Sequence, residues 1–169
     1  MSDTWVERTS AFDRIKGVSL TLSEPRPTAW IAEEARVSEN TARSHLGRLV
    51  ELGVLTTTAT ERGTAYVPDP IYTRSQDIRD LLDTHGEEDL AAEAVDLQAE
   101  LEAHRRAYDV DTPGRLRASV AEESLDATAA RERLEAASDW EYARYRLSLV
   151  RDALEHYDTY TSPPRSASA

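Results

Sequence analysis

The apolar residues between Thr28 and Gly53 recur at helical spacing in two short runs. In the second run they occupy positions i, i+4 and i+7, which lie on one face of a helix. These positions are Ala42, Leu46 and Leu49. The pattern predicts two amphipathic helices joined by a tight turn at Arg36-Val37.

Polar residues and a glycine mark the ends of these two helices. Thr28 and Ser38 precede the first apolar residue of each run, and their hydroxyls suit N-cap positions. Gly53 follows the second run, where a left-handed residue ends a helix at little cost. We therefore predict that the second helix spans Ser38–Leu52.

The segments on either side predict a third helix and a β-hairpin. Thr4 to Glu7 fits a capping box, which predicts a helix running to about Leu20 or Leu22. After Gly53, the β-branched run at Val54–Thr58 predicts one strand and Thr64–Val67 a second. Glu61-Arg62-Gly63 supplies the turn between them.

The second half of the chain is predicted to be helical throughout. A second capping-box pattern at Ser138–Glu141 predicts that a new helix begins there. The predicted helices are Arg74–Leu82, Glu87–Tyr108, a short helix through Val120, Asp126–Ala137 and the helix opened by Ser138. The Ser- and Pro-rich tail, 161–169, is predicted to be disordered.

The resulting fold class is mainly α. Residues 1–72 are expected to form a winged helix of three helices and a β-hairpin wing, and residues 73–160 an acidic helical extension or bundle. Apolar stripes in that extension predict a homodimer seam, with closure of the same stripes onto their own chain as the alternative. The candidate seam residues are Leu90, Leu97, Leu101, Leu147, Val150 and Leu154.

The charge of the chain is strongly acidic and unevenly placed. The formal net charge is −12, and Lys16 is the one lysine among 20 basic residues. Residues 1–75 carry 10 acidic and 9 basic side chains, so nearly all of the net charge lies beyond them. This composition is typical of soluble proteins of salt-loving archaea. At ~1 M salt the Debye length is about 3 Å, so the net charge hardly repels a phosphate backbone.

Several classes of protein are not expected. The chain has no cysteine, which excludes disulfides and thiolate metal sites and fits a cytoplasmic setting. The first residues lack the pattern of a signal peptide, and no apolar run approaches the length of a membrane span. No phosphate-binding loop, GxSxG or HExxH motif is present, so we expect no enzyme, no catalytic residue and no cofactor.

The helix-turn-helix segment resembles the winged-helix transcriptional regulators of archaea and bacteria, in the ArsR-like and TrmB-like group. The resemblance rests on three stretches and spans about Thr4 to Tyr72. The three stretches are Trp30-Ile31-Ala32, Val37-Ser38 with Asn40–Leu46, and Arg48-Leu49 with Glu51–Leu55. It implies a dimeric regulator that binds double-stranded DNA.

The helical wheel then indicates which residues would reach the DNA. Residues opposite the apolar stripe are placed to contact base edges, where Arg suits guanine and Asn suits adenine. Hydroxyls near the helix start and a flanking arginine would contact phosphates, and Arg62 at the hairpin turn would enter the minor groove or contact a phosphate. The predicted DNA-binding residues are Ser38, Asn40, Thr41, Arg43, Ser44, Gly47, Arg48 and Arg62.

Three alternatives stay open. The first is a winged-helix protein–protein interaction module or adaptor that does not itself read DNA, because the chain is so acidic and its wing only weakly basic. The second is a metal site made from two i, i+4 pairs, Glu100 with His104 and Asp152 with His156, although helix-surface pairing explains them better. The third is a pocket for an unidentified small-molecule effector. Its candidate aromatic residues are Trp140, Tyr142, Tyr145 and Tyr157, although aromatic stripes of this kind usually belong to a core.

Overall fold

A computed structural model of the chain describes residues 8–122 and 124–162. Two compact units divide between Gln76 and Asp77. The elements of the first are α1 (Ala11–Leu20), β1 (Arg26–Pro27), α2 (Thr28–Glu34), α3 (Glu39–Glu51), β2 (Leu55–Thr60) and β3 (Gly63–Pro68). Those that follow are α4 (Pro70–Thr84), α5 (Glu87–Tyr108), α6 (Pro113–Glu122), α7 (Ala127–Glu155) and α8 (Tyr157–Thr161). The prediction of a mainly helical fold is confirmed.

The first unit is built on an apolar core shared by α1, α2, α3 and the hairpin. Its fully buried side chains include Ile15, Ile31 and the predicted stripe of α3. Ala42, Leu46 and Leu49 are each 0% exposed, which confirms that this stripe faces the core. The periodicity of α3 therefore fixes which residues it leaves at the surface.

A three-stranded antiparallel sheet borders this core, in the order β1-β3-β2. The predicted hairpin is present and longer than predicted, with six pairs from Leu55↔Pro68 to Thr60↔Gly63. Its turn is the two residues Glu61-Arg62, and Gly63 has φ +108. The short strand β1 was not predicted; it pairs with Tyr66 and Ala65 of β3.

A buried arginine joins α1 to the turn that follows α2. Arg14 is 8% exposed, and its Nε donates to the carbonyl oxygen of Ala35 at 2.9 Å. Its Nη1 donates to the carbonyl oxygen of Thr9 at 2.6 Å. Ala35 is the C-cap of α2, where a helix leaves carbonyl groups without partners. The arginine therefore satisfies a buried carbonyl at the start of the turn.

Two helix starts differ from the sequence prediction. α1 begins at Ala11, because Ser10 accepts a hydrogen bond from the backbone N–H of Asp13 at 3.1 Å and caps the helix there. The predicted start at Thr4 lies outside the described residues. Thr28 is the first residue of α2 rather than its cap, since Pro27 holds the extended N-cap position and belongs to β1.

In the second unit α5 and α7 pack along each other and α6 packs against α7; the unit also includes α4 from Asp77 onward and α8. One apolar cluster joins Leu81 and Leu90 to the C-terminal half of α7, and another joins Leu116 to Trp140. The predicted helix Glu87–Tyr108 is confirmed as α5. Acidic residues in its first turn and arginines in its last complement the helix dipole.

The predicted helix start at Ser138 is wrong, because α7 runs without a break from Ala127 to Glu155. Ser138 lies inside it, and its hydroxyl donates to the carbonyl of Leu134 at 3.0 Å. Arg117 of α6 donates to the same hydroxyl and, through two nitrogens, to Glu141. This bidentate hydrogen bonding lowers the pKa of Glu141.

The six predicted seam residues pack within one chain. Leu90, Leu147 and Val150 are 0%, 4% and 0% exposed, so they present no surface to a partner. The others are half-buried against the same intrachain clusters; they are Leu97, Leu101 and Leu154. The burial of Leu90, Leu147 and Val150 within one chain agrees with the alternative prediction, closure of the stripes onto their own chain. Leu97, Leu101 and Leu154 keep partial exposure, and dimerisation stays a prediction.

Two further predictions concern the C-terminal tail and the absence of membrane-spanning helices. α8 ends at Thr161, and residues 163–169 of the predicted disordered tail lie outside the described residues. Within the described part of the chain, no helix combines the length and the hydropathy of a membrane span.

Replacing Arg14 by Met tests the role of the buried guanidinium. The variant keeps an apolar stem but leaves the Ala35 carbonyl without its donor, at a cost of about 1–3 kcal/mol. We expect amide hydrogen exchange to accelerate by about tenfold or more in α2, the turn and α3. Arg62→Met, at the exposed hairpin turn, is the control. Equal exchange in both variants would contradict this role.

Candidate nucleic-acid interface

The turn between α2 and α3 sets the start of the candidate interface. Arg36 has a left-handed backbone with φ +53, and the N–H of Val37 donates to the carbonyl of Ala32 at 3.0 Å. Ser38 caps α3 as predicted, since its hydroxyl accepts from the N–H of Thr41 at 3.1 Å. The two hydroxyls of Ser38 and Thr41 also share a hydrogen bond of 2.7 Å. Both predicted backbone-contact hydroxyls therefore lie together at the helix start.

The predicted base-reading residues lie on the side of α3 away from the core. Asn40, Arg43 and Ser44 are exposed, and Gly47 is half-buried. A Cβ added at Gly47 would meet no atom within 4 Å. The structure therefore brings these four residues onto one accessible strip, about two helical turns long.

Arg43 is held by two neighbours on the same helix. Its Nη2 lies 3.1 Å from Oε1 of Glu39, and its Nη1 donates to Oδ1 of Asn40 at 3.2 Å. The side chains of Arg43 and Glu39 are 60% and 55% exposed. Exposed ion pairs of this kind contribute about 0–1 kcal/mol, so a competing acceptor can displace Glu39 at little cost.

Arg48 lies over an aromatic ring of α1. Its guanidinium carbon is 5.5 Å from the ring centroid of Phe12, which also meets His45 edge to face at 5.6 Å. Arg48 remains exposed. The ring contact, which joins residues 36 positions apart, was not predicted, and it orients a cation beside the strip on α3.

Arg62 occupies the two-residue turn at the tip of the hairpin. Its backbone N–H donates to the hydroxyl of Thr60 at 3.3 Å, and that hydroxyl donates to the carbonyl of Gly63 at 2.7 Å. The side chain of Arg62 is exposed. The tip is thus ordered by its own hydrogen bonds and presents one basic side chain.

Arg26 is a basic residue of this unit that the sequence reasoning missed. It forms an ion pair with Glu24, and its guanidinium carbon is 5.0 Å from the ring centroid of Trp30. Trp30 follows Arg26 by four residues, across the junction of β1 and α2, and no local sequence pattern indicates this stacking.

The two helix pairs considered as metal ligands do not form a common site. His104 lies 3.8 Å from Glu100 and stacks on Trp140, whereas His156 lies 3.2 Å from Asp152 and stacks on Tyr160. Among the described residues, no group of three or more His, Asp or Glu side chains could hold a metal ion. Ring stacking and helix-surface pairing account for both histidines.

The aromatic residues proposed to line an effector pocket separate into two groups. Trp140 is 2% exposed in an apolar cluster, and Tyr157 packs against the other cluster. Tyr142 and Tyr145 are 66% and 42% exposed, and both line a surface cleft. The four aromatic residues are therefore one buried residue, one half-buried residue beside a core cluster and two surface residues.

Comparison with known proteins yields one family match. The model of a family of unknown function, DUF7342, matches residues 9–159, which is most of the chain. No curated protein and no solved structure matches.

Two glycines of this unit predict opposite effects on stability. Gly47 lies inside α3 with open space around a new Cβ, so Gly47→Ala is expected to stabilise the unit by about 1 kcal/mol. Gly53 has φ +69, so Gly53→Ala is expected to destabilise it by about 1–2 kcal/mol. Urea unfolding of both variants measures the difference. Destabilisation by Gly47→Ala would show that the site is more crowded than its geometry indicates.

Proposed function

The chain belongs to the DUF7342 family, and we propose that it is a sequence-specific DNA-binding transcriptional regulator of the winged helix-turn-helix type. In this proposal α3 is the recognition helix and lies in the major groove. The hairpin β2–β3 is the wing. The protein acts on double-stranded DNA in a salt-rich cytoplasm.

The observation that carries the proposal is the two-sided character of α3 after a four-residue turn. One side is completely buried and joins α3 rigidly to α1 and α2, while the other presents an amide, a guanidinium and a hydroxyl. Helix-turn-helix proteins read base edges with this combination. The chain order α1, β1, α2, α3 and then a hairpin supports the winged form of the motif.

Each exposed residue has a distinct expected role on DNA. Arg43 suits guanine O6 and N7, and Asn40 suits adenine N6 and N7. Arg48 contacts a phosphate, and Arg62 contacts a phosphate or the minor groove. Gly47 leaves room for the DNA to approach the helix closely.

Binding must first separate Arg43 from Glu39. The cost is small because the pair is exposed, and guanine offers two acceptors in place of one carboxylate. Glu39 then lies near the groove, where it either accepts from cytosine N4 or opposes the phosphates. The identity of the contacted base pair is therefore governed by Glu39 as well as by Arg43.

We also propose that two copies bind together, because paired half-sites multiply affinity. The pairing uses surface residues, since Leu90, Leu147 and Val150 are buried within one chain. An effector, either a small molecule or a protein, would regulate this assembly.

A protein-binding winged-helix module is the second candidate function. The pairing of Arg43 with Glu39 and a net charge of −12 favour it, because both lower the attraction for phosphate. The two candidates differ in the effect of Glu39: unless it contacts a cytosine, its carboxylate opposes DNA binding, but it need not oppose protein binding.

Selection of oligonucleotides with the full chain over a series of KCl concentrations tests the proposal. We expect one sequence to be enriched at high KCl. Arg43→Ala should weaken binding to it by about tenfold to a hundredfold, the effect of losing one bidentate base contact. Fluorescence anisotropy measures the affinities. Arg131→Ala, an exposed arginine of α7, removes the same charge and should leave the affinity unchanged.

Glu39→Gln gives a second, opposite test of the same contact. Removing the carboxylate frees Arg43 and should strengthen DNA binding by several-fold, unless the selected site places a cytosine against Glu39. If no sequence is enriched at any KCl concentration and a partner protein co-purifies with the chain, the DNA-binding proposal is wrong.

A further inference from the structure

The two edges of the sheet in the first unit differ in how they are protected. Within the described residues these edges are β1 and β2. β1 is two residues long and consists of Arg26 and Pro27, and short length, charge and proline all hinder pairing with a further strand. β2 has six residues, none of them charged and none a proline, and it pairs with β3 without a bulge. β2 therefore lacks the features that usually protect an edge.

One hydrogen bond determines which peptide groups of β2 point outward. The N–H of Asp69 donates to the carbonyl of Val54 at 3.0 Å, directly before β2 begins. In an antiparallel ladder every second residue exchanges hydrogen bonds with its partner strand. The next residues that bond to β3 are therefore Thr56, Thr58 and Thr60. The N–H and C=O of Thr57 and Ala59 point away from β3, and in the described part of the chain no strand lies on that side.

The outward groups are accessible over the outer part of the strand. Every residue from Thr57 to Thr60 is exposed. Leu55 also points its peptide groups away from β3, but it is 2% exposed and so is closed to a partner. An open strand edge of this kind accepts a further strand through main-chain hydrogen bonds.

Two copies of this edge are complementary to each other. When two β2 strands lie antiparallel about a two-fold axis at Thr58, Thr57 of each copy lies opposite Ala59 of the other. Both residues direct N–H and C=O outward, so all of the accessible outward groups find partners. Thr58 then faces its counterpart, and Thr56 faces Thr60. Threonine pairs across antiparallel strands are favourable and bring no charge into the contact.

The distribution of charge favours a second copy over other partners. Residues 1–75 carry 10 acidic and 9 basic side chains, so two copies of this unit meet with little net repulsion. The rest of the chain holds nearly all of the net charge of −12, which opposes contact between copies there. β2 itself has no charge with which to select a charged peptide strand.

We propose that β2 is the surface through which two copies of this chain pair, so that their three-stranded sheets join into one. The inference supplies a surface for the pairing of two copies and in that respect rests on the proposed function. A contact of so few residues buries less than ~1,200 Å², so the dimer is weak and forms at roughly micromolar concentrations. The association is measured without DNA, so its failure leaves DNA binding by a single copy to be decided by the oligonucleotide selection.

Sedimentation of the full chain over a series from about 1 μM to 1 mM tests the proposal. Thr58→Lys and Thr58→Glu each place like charges opposite one another at the axis, so each should weaken the association at least about fivefold. An equimolar mixture of the two variants places opposite charges there and should restore it. Thr64→Lys makes the same change at an exposed residue of β3 and should leave the association unchanged.

Amide hydrogen exchange, followed by NMR, locates the contact. The N–H groups of Thr57 and Ala59 should exchange about tenfold more slowly at the highest concentration than at the lowest. The N–H of Thr58 bonds to β3 in both states and is the internal control. Both experiments use the lowest KCl concentration at which circular dichroism shows a folded chain, because salt screens the introduced charges.

Four results would each overturn the proposal. The chain stays monomeric throughout the series, or Thr64→Lys weakens the association as much as Thr58→Lys does. The mixture of the two Thr58 variants associates no better than either variant alone. The chain associates but leaves the N–H groups of Thr57 and Ala59 unprotected, which would place the contact elsewhere.

Discussion

The hydrogen bond from Arg14 to the carbonyl of Ala35 is the constraint on which the first unit depends. It lies where α2 ends and the chain enters a left-handed turn at Arg36, which costs about 1–2 kcal/mol for a residue with a side chain. The turn is tolerable because its carbonyl is satisfied and the core closes around it. The direction of α3, and hence every exposed residue on it, follows from this junction.

α3 illustrates how a core determines a surface. The three fully buried side chains of α3, each 0% exposed, fix the rotation of the helix about its axis. Asn40, Arg43 and Ser44 therefore face outward. The exposed strip is nevertheless not a set of independent groups. Glu39, Asn40 and Arg43 form one polar network, so a ligand must exchange contacts with the network rather than with a single arginine.

Local signals were readable from the sequence, and signals that depend on distant residues were not. Ser38 and Gly53 were predicted because capping and left-handed geometry are properties of a few adjacent residues. β1 was not predicted because it is a strand only through its pairing with β3, at Tyr66. The predicted helix start at Ser138 was wrong because the packing of α7 overrides the local capping pattern. The periodicity of the sequence predicts that Leu90 and Val150 pack among apolar side chains. It does not show whether those side chains come from the same chain or from a second copy. The hydrogen bond from Tyr145 to Asp77 joins residues 68 positions apart, a pairing that no local pattern contains.

Salt acts differently on the ion pairs of the two units. The pair of Arg43 and Glu39 is more than half exposed, so concentrated salt screens it strongly. The pair of Arg146 and Glu93 is 27% and 23% exposed and bidentate, so it is screened far less. Concentrated salt therefore weakens the pairing of Arg43 with Glu39 more than the pairing of Arg146 with Glu93. The same salt weakens attraction to phosphates, which leaves hydrogen bonds to base edges as the larger share of any DNA affinity. If the proposed DNA binding holds, the acidic chain with its few basic contacts would therefore distinguish sequences more than it binds DNA indiscriminately.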